Sequence, residues 1–384
     1  MIFLEHIRSL VLPAALAGLS AGLLLGVPVI GRAQSTGLLS DKPAVVINEI
    51  LAHSDDPYVD AVELHNLGSS EIDLSGWLLS DDDTRPLDEW VRIPDGATIS
   101  AGGLYVVANT EQEWAFGLSE AGDAVYLFRP DPQGGVSQQV DAVRFGASPT
   151  NISFIRYVDA VGQVRFPMQD SVPTLGTINC GVRISPVQIE ELMVDPEQGK
   201  SEYIVLANVG GRSEPLFDPE NPINSWKLVG QNSSGKDNEM FFFPQGTILE
   251  AGERVILSAV TPDLFRQEND IPTTMRVFGP LNSGLSNTGE RVALAVPQDP
   301  ELNTEINYVF VDEVEYSNRP PWPSVEENGQ ALRRISPTQF GNDVANWRSA
   351  PALQSVRRSS SAGSTFSIDD LYLPFVSAPY CDFN

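Results

Sequence analysis

The chain is predicted to be all-β, with two sandwiches or small barrels in tandem behind an N-terminal export segment. Three observations predict this. Apolar residues alternate with polar ones in short runs bounded by Asn, Gly, Asp and Ser, the signature of half-buried strands joined by tight turns. The set of runs occurs twice in the same order, and an internal repeat outranks any local signal. The 384 residues include 29 Pro and 31 Gly, while few stretches keep a helical period. Turns are therefore many and helices few.

The elements follow in order. Arg8 precedes an uncharged stretch from Ser9 to Gly31, and Gly31-Arg32-Ala33 puts small residues at the two positions a signal peptidase reads. Residues 1–33 read as a secretory signal cleaved before Gln34, with an uncleaved anchor as the alternative. No later stretch is apolar enough to span a membrane. The first repeat opens with Val45-Val46-Ile47-Asn48-Glu49-Ile50, then Ala61-Val62-Glu63-Leu64-His65-Asn66, then Ile72-Asp73-Leu74 closing at Gly76-Trp77. Val91 to Ile99 reads as strand, Pro-Asp-Gly turn and strand, since Pro, Asp and Gly each favour a turn for a separate reason. Leu104–Ala108, Ala124–Phe128 and Gln139–Phe145 follow as strands, then Ser153–Tyr157 and a closing Pro173–Asn179.

The second copy keeps that order. Ile189-Glu190-Glu191-Leu192, Tyr203–Asn208 and Ser225-Trp226-Lys227-Leu228 answer the opening, and Phe241–Ile248 answers the Pro-Asp-Gly hairpin. Glu253–Leu257, Asn287–Leu294 and Phe310–Tyr316 answer the later strands. Trp77 and Trp226 stand at equivalent places, which predicts core anchors, and Trp347 is expected to pack the end of copy two. Longer loops fall at Ser213–Asn224 and Pro262–Arg276, where insertions cost little. The domains are thus 45–180 and 186–353, with a Ser-rich linker and tail over 354–384.

The run INEI, VELHN, IDLSGW, PDG, AGG, GDAVYL, VDAV resembles the lamin tail domain. Copy two ends in Arg333-Arg334-Ile335 and Phe340–Trp347, which is similar to the ending of bacterial members, while copy one ends in PTLGTIN. Copy two departs at Val205 and Ala207, where copy one has Glu63 and His65. The resemblance implies two immunoglobulin-like β-sandwich domains in tandem. It also implies a non-catalytic module, as in secreted and envelope proteins where such domains mediate binding or attachment.

Composition narrows the partners. Removing Arg8, Arg32 and Glu5 from the 24 basic and 51 acidic residues leaves 22 and 50. So acidic a surface repels phosphate backbones and anionic lipid heads, which argues against nucleic acid and membrane surfaces as partners, with plain solubility as the other reading of the charge. A protein or polysaccharide at the cell envelope is expected, with the chain secreted or held at the cell surface. The apolar fraction of 42% suffices for real cores. Cys180 and Cys381 pair as a candidate disulfide, with two free thiols as the alternative.

Chemistry is sparse. No cofactor motif is present, and the mature chain has two histidines, His53 in a loop and His65 at a strand end. His53 beside Asp55 and Asp56 could form a His/Asp metal site, but calcium is the more credible ion. Asp55, Asp56 and Asp60, Asp81-Asp82-Asp83, and Asp369-Asp370 offer hard oxygen ligands in loops, set against the plain reading of solvated loops. Glu49 and Glu63 could form the carboxylate pair of a hydrolase, set against carboxylates that bind backbone N–H groups. Trp90, Trp114 and Trp322 are candidates for a sugar- or partner-gripping surface. Asn151 and Asn232 fit the glycosylation acceptor pattern. The reading is an exported, non-catalytic binding or structural module. A calcium-supported carbohydrate-binding adhesin and an acidic-residue hydrolase are the alternatives.

Overall fold

The computed structural model describes residues 44–110, 114–231, 235–298, 306–325, 329–353 and 356. The expected signal, Cys381, Asp369, Asp370 and Asn232 lie outside them. The first half supplies β1 (Val45–Leu51), β2 (Ala61–Asn66), β3 (Ile72–Asp73), β4 (Leu78–Ser80), β5 (Val91–Arg92) and β6 (Thr98–Ile99). It continues with β7 (Leu104–Ala108), β8 (Gly122–Pro130), β9 (Val136–Gly146), β10 (Phe154–Ile155), β11 (Tyr157–Val158) and β12 (Val164–Arg165). One antiparallel sheet runs β10-β1-β2-β7 and the facing one β5-β4-β8-β9. Ile47, Val62, Leu64 and Val107 from one sheet meet Leu79, Val91, Leu127 and Val143 from the other in a single core. The alternation read from the sequence is the inward face of each strand.

The second half repeats this. It supplies β13 (Val187–Met193), β14 (Tyr203–Asn208), β15 (Glu214–Pro215), β16 (Lys227–Gln231), β17 (Asp237–Phe242), β18 (Ile248–Leu249) and β19 (Arg254–Ser258). After helix α1 (Pro262–Asn269) come β20 (Arg276–Phe278), β21 (Gly289–Gln298), β22 (Asn307–Ser317), β23 (Gln330–Arg334) and β24 (Trp347–Pro351). The sheets run β20-β19-β14-β13-β23-β24 and β17-β16-β21-β22 around their own core. Trp77 and Trp226 are both buried, as their matching positions require, and Trp347 gives its indole N–H to the Gly341 carbonyl at 2.7 Å. Among the described residues no helix is long and apolar enough to cross a membrane.

The repeat extends to irregularities. The β1–β2 ladder shifts register between Ile47 and Glu49, and the β13–β14 ladder between Ile189 and Glu191. Such bulges are placed features that bend a strand. At each, the backbone N–H (Ile47 or Ile189) donates to an aspartate from the opposite sheet: Asp141 at 3.0 Å and Asp312 at 2.8 Å. Each aspartate is held by an arginine, Arg156 at 2.9 Å and Arg334 at 2.6 Å. Asn66 and Asn208 close equivalent turns: each side chain accepts from a glycine N–H two residues on and donates to carbonyls across the sheet.

The copies differ in their covers. The long loop expected at Pro262–Arg276 holds α1, started by Pro262 at its first position with Asp263 in the first turn, both favourable at a helix N-terminus. Its Phe265 covers Tyr203, Val205 and Ile256, building a second apolar layer outside the six-stranded sheet. The first sandwich has no such layer among the described residues.

Candidate functional site

Each candidate carboxylate of the first copy has a structural partner. Glu49 and Glu63 sit opposite each other on β1 and β2, both at 0% exposure. Glu49 accepts the Thr174 N–H at 2.8 Å, the Thr174 hydroxyl at 2.7 Å, the Ser153 hydroxyl at 2.5 Å and the Gln169 amide at 3.1 Å. Glu63 accepts the Asn48 amide at 2.7 Å and the Gly176 N–H at 2.6 Å, and burial pushes its carboxyl up from the ordinary range. Both acids therefore grip the closing segment of the sandwich, and neither reaches solvent. In the second copy Glu191 takes the Leu353 N–H at 2.7 Å and the Tyr203 hydroxyl at 2.6 Å. The pair anticipated for a hydrolase is thus a clasp between the first strand and the end of the domain.

The calcium candidates separate. Asp55, Asp56 and Asp60 line one open hollow with Tyr58 and Asn109. Asp60, however, accepts the Ser54 hydroxyl at 2.8 Å and the Leu118 N–H at 3.3 Å. Glu202, in the equivalent place, takes the Leu285 N–H at 2.8 Å. Burial raises both carboxyls, and holding a backbone N–H is the shared role. Asp81 forms a two-pronged pair with Arg85 at 2.9 and 2.7 Å, and Asp82 caps Thr84, while Asp83 is exposed. Among the described residues no three His, Cys, Asp or Glu side chains are arranged to hold a metal ion.

The three candidate tryptophans lie apart. Trp114 is 9% exposed and packs into the first core beside Phe116, because the chain after β7 turns inward there. Trp322 packs on Trp347 at 6.3 Å between ring centres, against the second core. Trp90 is half-buried on Phe128 with its indole N–H on the Arg85 carbonyl at 2.9 Å. These rings do not form one aromatic face. His65 is the half-exposed strand residue anticipated, whereas His53 is buried, with its Nδ1 2.8 Å from the Ser148 carbonyl. Cys180 is buried and disulfide-bonded.

The sequence did not reveal a cleft of about 1000 Å³ between the two sandwiches. Val311, in its lining, packs against both cores, and the neighbouring Val309 of β22 belongs to the first core. One wall is the outer face of the β17-β16-β21-β22 sheet. There the Lys227 ammonium lies 3.8 Å from the Tyr308 ring centre, and the Arg291 guanidinium 4.6 Å from that of Phe310. Lys227 pairs with Glu239 at 2.9 Å, and Arg291 with Asp237. The opposite wall presents Phe154, Phe166 and Arg165, and Arg165 ties to Glu315 across the cleft. Two buried polar atoms in the lining, Asn238 Oδ1 and Arg165 Nε, have no hydrogen-bond partner among the described residues. Burial, with Glu239 nearby, also raises the Tyr308 phenol.

Comparison with known families bears on the first sandwich. Residues 39–146 match the Lamin Tail Domain family. The lamin tail domain match ends where β9 ends, so β10, the closing segment clasped by Glu49 and the whole second sandwich lie beyond it. The second sandwich follows the strand order of the first through β1, β2 and β7 and their counterparts β13, β14 and β19, with matching bulges. No curated protein matches the chain. Among solved structures, a DUF4876 family protein from Bacteroides thetaiotaomicron is similar at 10% identity and a TM-score of 0.29, covering 79% of this chain and 89% of that one. Of the residues lining the cleft, Ala121, Arg144, Phe145 and Gly146 fall within the lamin tail domain match, while Phe154, Arg165, Phe166 and the second-sandwich wall lie beyond it. The cleft's signal in the sequence was the aromatic pair Tyr308 and Phe310 at alternate positions of one strand.

Proposed function

We propose that the chain is an exported, non-catalytic binding module acting at the cell surface or outside the cell, with a glycan ligand held in the cleft between the sandwiches. The observation that carries this reading is the cleft itself: its volume suits a small ligand or short oligosaccharide better than a protein face. Tyr308 and Phe310 offer apolar ring surface, while the paired charges of Lys227, Glu239, Arg291 and Asp237 offer hydrogen bonds to hydroxyls. The lamin tail domain fold is compatible with a binding or structural role, and fold alone goes no further.

The test is calorimetric titration of residues 34–384 with soluble envelope polysaccharides, repeated with Tyr308→Ala and Phe310→Ala. Binding weakened about tenfold or more in either variant supports the cleft. Unchanged binding in both places the ligand elsewhere. A chelator arm decides the calcium-supported adhesin, since binding that survives metal removal ends it. Release of reducing sugar by the wild-type chain would restore the hydrolase.

A further inference from the structure

Sheet edges are liabilities, because unpaired N–H and C=O groups accept any extended chain; bulges, charges, Pro and short length are the usual defences. Nearly every edge of the large sheets here carries one. β9 and β22 have a bulged ladder and an inward aspartate, Asp141 and Asp312. β17 has acids and a bulge, β24 ends in Pro351, and β5 and β20 are two and three residues long. The β10 edge is paired further, with Ile155 N–H bonding the Pro167 carbonyl. β7, Leu-Tyr-Val-Val-Ala, has no charge, no Pro and no bulge, and pairs only with β2 among the described residues.

The molecule contains its own control. β19 is the counterpart of β7, and both pair their inner edges over five matched positions, Ala61↔Ala108 to His65↔Leu104 and Tyr203↔Ser258 to Ala207↔Arg254. The outer edge of β19 is filled by β20 in parallel register, Val255↔Arg276, Ile256↔Val277 and Leu257↔Phe278. Val255, Ile256 and Leu257 are at 0% exposure, Ile256 also lying under Phe265, whereas of their counterparts Tyr105 and Val106 are half-buried and Val107 is 8% exposed. The bonds Asn66 N–H to Gly103 O and Asn109 N–H to Asp60 O fix the ladder phase. They turn the backbone groups of Leu104 and Val106 outward, as those of Ile256 are turned toward β20.

We propose that β7 is a docking edge for an extended segment of a partner protein, added in parallel as β20 is added to β19. The partner segment has the chemistry of β20, a basic residue followed by apolar ones. In β20 the basic residue, Arg276, binds the Ile248 carbonyl at 2.7 Å, matched by Thr98 in the first sandwich, and Glu253 at 2.7 Å, matched there by Gly103. The main-chain carbonyl is therefore the contact the first sandwich can repeat. A net charge of −27 attracts such a segment to the first sandwich as well. This edge is separate from the cleft, and it takes main-chain hydrogen bonds rather than a sugar.

The experiment is fluorescence anisotropy of the mature chain with a labelled peptide of its own residues 272–278. The same peptide methylated on its backbone nitrogens and a Val106→Pro variant serve as comparisons. Proline at 106 removes one outward N–H and leaves the bonds of Tyr105 and Val107 to β2 in place. The expected result is saturable binding, weakened about tenfold or more by either change. The methylated peptide tests the same main-chain bonds should Val106→Pro fold poorly. No binding, or equal binding with both changes, overturns the proposal. So does a dimer of the chain that Val106→Pro dissolves, which would make a second copy the occupant. Binding that emerges only after removal of residues 357–384 overturns it too, because the chain's own end would then hold the edge.

Discussion

Removing the Glu49 carboxylate is the sharpest test of the clasp. In Glu49→Ala four donors lose their acceptor at once: the Thr174 N–H and hydroxyl, the Ser153 hydroxyl and the Gln169 amide. A hydrogen bond to a charged group contributes about 1.5–3 kcal/mol, and stranding a buried donor costs about 1–3 kcal/mol. Simple addition overshoots, since water enters the vacated space and Gln169 can turn to the Val172 carbonyl it already holds at 2.8 Å. A net loss of about 3–5 kcal/mol is expected, comparable to breaking a buried ion pair. For a folded body of this size each kcal/mol lowers the melting temperature by about 2–4 °C. Urea unfolding followed by tryptophan fluorescence measures the change. Glu71→Ala, at an exposed position, is the control and should stay within about 0.5 kcal/mol. A Glu49→Ala loss no larger than that of Glu71→Ala would refute the clasp.

Two further outcomes follow from the same geometry. Burial raises the carboxyls of Asp60, Glu63, Glu191, Glu202, Glu290 and Asp312 above their ordinary values. The folded state therefore binds protons more readily than the unfolded one, so stability must fall as pH rises through the raised values. Thermal unfolding scanned from neutral down toward the ordinary carboxylate range should show rising stability, and a flat or falling curve there would contradict the burial argument. Asn66→Ala and Asn208→Ala should each cost about 1–3 kcal/mol by releasing a turn N–H and the carbonyls across the sheet. The double variant should lose close to the sum, because the two share no partner. Strong non-additivity in urea titrations would mean the turns are not independent.

The sequence was most legible where period and turn chemistry agree. The inward faces of β1, β2, β13 and β14 follow directly from alternation, and the Pro-Asp-Gly turn sits where Pro94 accepts the Ala97 N–H. The core places of Trp77 and Trp226 followed from the repeat. Burial of polar residues was less legible. Glu63 alternates as an exposed residue would and Glu49 stands at the bulge, and nothing local announces that a segment more than a hundred residues later covers them. Trp114 looked like a loop aromatic because its inward turn depends on tertiary packing, and α1 hid in a stretch read as an inserted loop. The cleft escaped altogether, since its walls come from β9, β12, β16 and β22, and only the assembled sandwiches bring these together.

The clasps also set an order of events. Glu49 waits for Thr174, 125 residues on, and Glu191 for Leu353, 162 residues on. A nascent chain emerging N-terminus first cannot satisfy its first strand until the last segment of that sandwich has appeared, and contacts of such long sequence separation form slowly. Each half therefore stays open through most of its own synthesis and closes in one late step. A chain meant to thread through a membrane before folding would gain from that delay. A chain cut short before residue 174 or residue 353 would be left with Glu49 or Glu191 uncovered and its first strand unclosed.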